Sequence, residues 1–258
     1  MNSNSAADWR AYRPAPDAFV GRVILVTGAT AGIGRAVARD LVKHGATVIL
    51  HGRSERALEA LYQDLRALGP EPTVAQIDLE RAQGPQYQSL TTEIESRYGR
   101  LDGLVHNASV LGDRSPIEHY DIGLWQRVLL VNLTAPFILT RCLLPLLRNS
   151  PDASVLFTTS GVGRQGRAYW GAYAVSKFGT EGLAEVLADE LESTAIRVNL
   201  INPGATRTRM RARAYPAENP ATVQTPESVT PAYLYLLGPD SRGVRGQRFE
   251  LLESKAGR

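Results

Sequence analysis

An apolar run that stops at a glycine, with further glycines close behind, constrains this chain more than any other stretch. RVILVTG (Arg22 to Gly28) is rich in β-branched residues and reads as a buried parallel strand. The segment that follows, ATAGIG (Ala29 to Gly34), opens a helix predicted over about 33 to 44. A strand, a glycine turn and a helix start expose the first helical N–H groups together with the positive end of the helix dipole, which suits an anionic pyrophosphate. Gly28 permits the sharp turn, Gly32 lets the backbone approach a phosphate, and Gly34 lets the helix pack closely on the sheet. Thr30, Ala31 and Ile33, set among these glycines, are further candidate cofactor contacts. Three residues separate the first two glycines, so the spacing departs from the G-x-G-x-x-G fingerprint.

The alternation continues to the end of the chain. Strands are predicted at TVILHG from 47, TVAQIDL, LDGLVHN, SVLFTTS, IRVNLIN and within RGQRFELL. Helices are predicted from Ser54 to about Leu68, over about 84 to 98, 121 to 148 and 170 to 192, and from the TPES start (Thr225 to Ser228) to about Leu237. Strands joined by crossover helices imply an α/β, three-layer Rossmann fold: a doubly wound parallel sheet with helices on both faces. Residues 1–18 are expected to form a loose N-terminal extension and residues 19–258 a single domain.

Composition excludes several classes. With 29 basic against 26 acidic residues and no long basic run, no nucleic-acid partner is expected. The polar start lacks the order of a signal peptide, and no apolar run is read as approaching a membrane span. The single Cys142, which lies in an apolar helical stretch, fits a reducing compartment and a cytoplasmic location. His44, His51, His106 and His119 show no metal-ligand spacing, so no metal is expected.

Tyr173 and Lys177 stand four apart in a predicted helix and therefore share one face. A nearby ammonium makes a phenol easier to ionise, and a tyrosine needs that help to move protons near neutral pH. The pair alone also recurs in ordinary helices, where the lysine merely snorkels. About twenty residues after the glycine loop, where an NAD enzyme places a carboxylate, the chain has His51, Gly52, Arg53 and Ser54. Arg53 suits a 2′-phosphate, which points to NADP(H), with NAD less favoured; it could otherwise cap the strand in solvent. Pro136, four residues after Asn132, deprives the Asn132 main-chain carbonyl of its helical N–H partner. That carbonyl then meets a water or simply marks a solvated kink.

TGATAGIG, Asp78 after the third strand, HNAS at 106 to 109, Asn132 in VLLVNLTAPF, Ser160, YAVSK and INPGATRT together resemble the short-chain dehydrogenase/reductase family over about residues 20 to 252. GRQGRAYWGAYAVSKFGTEG and INPGATRTRMRARAYPAENP look most like its YciK-type bacterial oxidoreductases. The resemblance implies a catalytic set of Asn132, Ser160, Tyr173 and Lys177, with Ser160 thirteen residues before Tyr173. Tyr173 would pass the proton, Ser160 would orient the substrate oxygen, and Lys177 would hold the ribose hydroxyls and lower the tyrosine pKa. A water on the Asn132 carbonyl would lead toward Lys177 as a proton route. Arg53, Ser54, Asp78, Leu79, Asn107, Ala108, Pro203, Gly204, Thr206 and Thr208 join the glycine loop, Tyr173 and Lys177 as cofactor contacts. The resemblance further implies a homotetramer or homodimer formed through the two long helices. Ser109 departs from the usual Asn-Ala-Gly, and the tail ELLESKAGR lacks the frequent Val-Asp-Gly-Gly ending.

The expected activity is NADP(H)-dependent interconversion of a ketone or aldehyde with its alcohol; an NADP(H)-binding regulatory or scaffold protein with incidental catalysis is the alternative. Arg164, Arg167, Tyr169 and Trp170 on one side and Arg207, Met210, Arg211 and Tyr215 on the other are expected to wall the substrate pocket, under a flap from about 207 to 222. The arginines suggest an acidic group on the substrate, although a solvated surface explains many of them as well.

Overall fold

The computed structural model describes residues 8–252. Seven strands, β1 (Val23–Thr27), β2 (Thr47–Gly52), β3 (Thr73–Gln76), β4 (Gly103–His106), β5 (Ala153–Thr158), β6 (Ile196–Asn202) and β7 (Arg248–Glu250), form one parallel sheet in the order β3-β2-β1-β4-β5-β6-β7. Strand order reverses between β1 and β4, so a crevice opens beyond their carboxyl ends. The doubly wound fold expected from the alternation is the fold observed.

Successive strand residues face opposite layers. Leu25, Ile49, Leu104, Val155 and Val198 pack with α3 (Gly84–Tyr98), α5 (Ala135–Arg148) and α6 (Gly171–Glu190). Ile24, Val26, Val48, Leu50, Leu156 and Ile201 pack with α1 (Gly32–Lys43), α2 (Glu55–Arg66) and α8 (Pro226–Leu237). Burying one such aliphatic side chain contributes roughly 1.5–3 kcal/mol, which makes these two layers the main source of stability.

Four expectations change. β3 closes at Gln76 and β4 at His106, so Asp78, Leu79 and Asn107 lie just past their strands. The helix predicted over 121 to 148 runs as α4 (Ile122–Leu129), a π-helical segment Leu130–Thr134, and α5. The π segment falls where Pro136 removes an amide from the ladder, a recognised cause of such local widening. Ile122–Arg148, 27 residues, is long and apolar enough by composition to cross a membrane, contrary to the sequence reading. Leu139, Leu143, Leu146 and Leu147 bury one face of it against the sheet, as in a core helix.

The fourth change concerns the extension expected to be loose. Residues 1–7 lie outside the described residues, but from residue 8 the chain is tied down. Trp9 meets Phe249 of β7 edge-on at 5.1 Å, and Tyr12 meets Tyr235 of α8 at 5.5 Å. Arg10 donates to the Glu250 carbonyl at 3.0 Å and the Tyr12 hydroxyl to Asp240 at 2.8 Å.

Candidate active site

The turn between β1 and α1 depends on its glycines. Gly28 has φ +66°, and a Cβ there would lie 3.0 Å from Ala108 Cα. Gly32 has φ +53°, where a Cβ would lie 3.0 Å from Thr208 Cγ2. A side chain at either position would be strained and would fill the space the turn leaves open. Thr27 Oγ1 accepts from the amides of Asn107 and Ala108 at 2.9 and 3.0 Å, while Asn107 Nδ2 donates to the Thr27 carbonyl at 3.0 Å. These bonds hold the ends of β1 and β4 together. Ala31 begins α1 without a side-chain cap, so the helix presents its first amides toward the crevice.

Across the crevice, α6 starts at Gly171, placing Tyr173 in its first turn and Lys177 one turn on. Both are buried, Tyr173 to 8% and Lys177 to 4% exposure. Burial pushes the Tyr173 phenol up to about 12, opposed by a hydrogen bond with Ser160. Burial brings the Lys177 ammonium down to about 8, opposed by Glu181. Lys177 Nζ donates to the Thr158 carbonyl at 2.9 Å and lies 5.7 Å from the Tyr173 ring centroid. The expected lowering of the tyrosine by its lysine is therefore not found in this arrangement. Burial dominates the phenol, and the ammonium is directed to the end of β5.

Asn132 sits in the π segment and is buried. Its Nδ2 donates to the Val110 carbonyl at 2.9 Å and to Ser176 Oγ at 3.0 Å, and its Oδ1 accepts from the Val110 amide at 2.8 Å. The main-chain carbonyl freed by Pro136 accepts from Thr180 Oγ1 of α6 at 3.1 Å, a hydroxyl it shares with the Ser176 carbonyl at 2.8 Å. Asn132 thereby ties the loop after β4 to the helix that carries Tyr173 and Lys177.

A cleft of about 2280 Å³ joins these parts, lined by Gly28, Thr30, Ala31, Gly32, Ile33, Asn107, Ala108, Ser160, Tyr173, Lys177, Pro203, Gly204, Thr206 and Thr208. Gly34 lies behind the turn, where a Cβ would come 2.4 Å from the Gly28 carbonyl oxygen. Arg53, Ser54, Asp78, Leu79 and Asn132 are not on the wall. Ser54 caps α2, Leu79 joins the core, and Asp78 Oδ1 accepts from the Glu80 amide at 3.1 Å. Arg53 is exposed; neighbouring Gly52 lies close to the glycine loop, where a Cβ at position 52 would fall 3.0 Å from Thr30 Cγ2. Arg35 and Arg39, which the sequence reading passed over, do line the cleft. Their spacing from Gly32, three and seven residues along α1, puts all three on one helix face and was a usable signal.

The open glycine turn and uncapped helix fit a dinucleotide's pyrophosphate, and Arg35 and Arg39 supply positive charge beside it. Ser109 Oγ adds a buried hydroxyl without a partner among the described residues. Ser109 does not adopt a positive φ, so replacing the usual glycine there carries no backbone strain.

At the other end Leu111, Val162, Trp170, Tyr173 and Ala214 form an apolar cluster with Met210 and Tyr215 packed on it. Arg211 lies 3.8 Å over the Tyr215 ring and pairs with Glu218 at 2.5 Å, while Arg114 covers Trp170 and Tyr215 at 4.9 and 5.1 Å. Arg164 turns away from the cleft to Glu181 at 2.9 Å, so it is not a pocket wall. The expected flap contains a short helix, α7 (Arg209–Ala214), fastened by Arg211–Glu218 and by Arg213–Asp113 at 2.8 Å.

A Rossmann sheet whose crevice joins a glycine turn to a Ser–Tyr–Lys group defines an oxidoreductase of the short-chain dehydrogenase class. The short chain dehydrogenase family model matches residues 22–219, and the chain belongs to that family. The oxidoreductase YciK of Escherichia coli (strain K12) is 48% identical over 240 residues, 93% of this chain and 95% of that protein. A solved short chain dehydrogenase from Pseudomonas syringae superposes with a TM-score of 0.90 at 52% identity, covering 93% of this chain and 99% of the other. Another, from Escherichia coli CFT073 complexed with NADPH, gives a TM-score of 0.90 at 48% identity, covering 92% and 99%.

Proposed function

We propose that this oxidoreductase interconverts a ketone or aldehyde with its alcohol using NADP(H), with Tyr173 as the proton donor and acceptor. The observation that carries the reading is the grouping of Ser160, Tyr173 and Lys177 on the wall of a cleft whose opposite half fits a dinucleotide. No carboxylate follows β2 where an NAD enzyme would need one, and Arg53, Arg35 and Arg39 favour a 2′-phosphate. The NADPH held by the E. coli CFT073 relative supports the same choice.

The glycine turn, Asn107, Ala108 and the Pro203–Thr208 loop hold the cofactor, and Lys177 binds its ribose hydroxyls. NADPH supplies the hydride. Ser160 holds the carbonyl oxygen and orients it, and Tyr173 Oη gives that oxygen its proton. A phenol held near 12 by burial is protonated at neutral pH and so stands ready as the acid for reduction. Trp170, Tyr215 and Leu111 exclude water from the reacting carbon. The exposed stripe of Val175, Phe178 and Val186 on α6, with Ile122 on α4 and Phe137 on α5, supports assembly into a homodimer or homotetramer through those helices.

A panel of carbonyl compounds and alcohols, assayed with both nicotinamide cofactors, tests the reading. NADPH-linked turnover, lost on Tyr173→Phe while NADPH binding persists, is the expected result. An active Tyr173→Phe variant, or a wild-type protein that binds NADPH and turns over nothing, would count against it.

A further inference from the structure

The last strand reaches into the reaction centre. Arg248, the first residue of β7, is paired in register with Leu200 of β6, and its side chain is only 14% exposed. Its Nη2 donates to the Ser160 main-chain carbonyl at 3.2 Å. The same Nη2 stands 3.3 Å from Glu181 Oε1, and Nη1 stands 2.6 Å from Glu250 Oε1. Glu181, whose side chain is 6% exposed, also accepts from Thr159 Oγ1 at 2.6 Å and from Arg164 Nε at 2.9 Å. Glu250 Oε2 accepts from Asn202 Nδ2 at 2.6 Å, and Asn202 Oδ1 accepts from the Gly204 amide at 3.0 Å.

These contacts surround Ser160 on its main-chain side. Thr159 before it and Arg164 after it are both held by Glu181, and its own carbonyl is held by Arg248. That carbonyl also accepts from the Gly163 amide at 2.9 Å, which closes the turn leading out of β5. The space is full: a Cβ at Gly163 would lie 2.6 Å from Glu181 Oε1. A guanidinium suits the position because its planar fork meets two carboxylates and a carbonyl at once, which a lysine's single ammonium cannot do.

We propose that Arg248 is a positioning residue for Ser160: paired with Glu181 and Glu250, it fixes the Ser160 backbone and so keeps the hydroxyl in place on the cleft wall that it shares with Tyr173. The inference rests on the oxidoreductase reading given above. Arg248 does not line the cleft, so its effect on the chemistry passes through Ser160. The same arginine links the serine to the Gly204 loop through Glu250 and Asn202, coupling the two walls of the site.

The test combines Arg248→Met, Arg248→Lys and Ser160→Ala, singly and together, on the full chain. In alcohol oxidation with the best substrate and NADP, Arg248→Met is expected to lower kcat about tenfold with little change in KM for NADP. Ser160 acts to lower a phenol that burial holds high, so loosening it should move the alkaline rise in kcat to higher pH. Arg248→Lys should recover only part of the rate. In the Ser160→Ala background, Arg248→Met should cost little more, because the two act as one unit. Hydrogen exchange needs no substrate: amides of residues 160–165 should exchange faster in Arg248→Met while those of β1 and α1 do not change. Additive losses in the double variant, full rescue by lysine, or unaltered exchange at 160–165 would each overturn the proposal. A wild-type protein inactive toward every substrate, yet showing the exchange change, would fault the activity reading and leave the clamp standing.

Discussion

Thr180 Oγ1 donates to the main-chain carbonyl of Asn132 at 3.1 Å, joining a carbonyl stripped of its helical partner to the helix that bears Tyr173 and Lys177. The hydroxyl also reaches the Ser176 carbonyl at 2.8 Å, within its own helix. Thr180→Val keeps the shape and removes the donor. It is expected to destabilise the protein by about 1–3 kcal/mol, the cost of an unsatisfied buried carbonyl, as read from denaturant unfolding. Thr180→Ser should sit much closer to wild type.

Asp152 makes stability depend on acid. Arg197, almost wholly buried, donates to it at 3.0 Å, and Arg22 and Arg242 approach its other oxygen at 3.2 and 3.3 Å. Burial pushes the carboxyl up, but Arg197 and then Arg22 outweigh burial and hold it below the ordinary carboxylate range. Since the folded value is the lower one, the stabilisation is complete above the unfolded pKa and drains away as pH falls through the folded one. Asp152→Asn should cost about 3 kcal/mol near neutral pH, since it leaves a buried guanidinium unpaired, and should flatten the acid limb of a melting-temperature profile.

Cofactor choice should respond to Arg53. Arg53 is exposed and follows Gly52, which lies beside Thr30 of the glycine loop, although Arg53 is not part of the cleft wall. Arg53→Ala is expected to weaken NADPH binding about tenfold by fluorescence titration, as for the loss of one charge-assisted bond, and to leave NADH binding unchanged. Equal losses for both cofactors would remove Arg53 from the 2′-phosphate assignment.

Tyr169 carries strain. Its φ of +70° lies in the left-handed region, and the ring is 55% exposed, so little packing repays the cost. Tyr169→Gly should raise unfolding free energy by about 1 kcal/mol. If the strain serves the pocket, KM for the carbonyl compound should rise in the same variant.

Much of this was legible in the residues because the signals were local. A strand, a glycine turn and a helix can be read from thirteen consecutive positions, and Tyr173 and Lys177 are related by one helical turn. Arg35 and Arg39 were legible too, had the period of α1 been followed outward from Gly32. Other features depend on contacts between distant segments, which a linear reading cannot supply. Pro136 announced a freed carbonyl, but nothing near it named Thr180, 48 residues on, as the donor. The lysine was expected to lower its tyrosine because spacing says which groups are close but not how dry they are. Burial decided that sign, and it also decided that Arg164 would face Glu181 and not the cleft. The extension looked loose because Trp9 and Tyr12 have no apolar neighbours in sequence; their partners lie at the opposite end of the chain.

The grip of Arg248 on the Ser160 carbonyl has a consequence for the order of assembly. Synthesis proceeds from the N-terminus, so β1 to β6, with Ser160, Tyr173 and Lys177 among them, emerge before β7 exists. The serine's last restraint must therefore arrive with β7, together with the ring of Phe249 on which Trp9 closes. A nascent chain can hold every reacting side chain and still lack a set geometry, which delays a working site until β7 has been made.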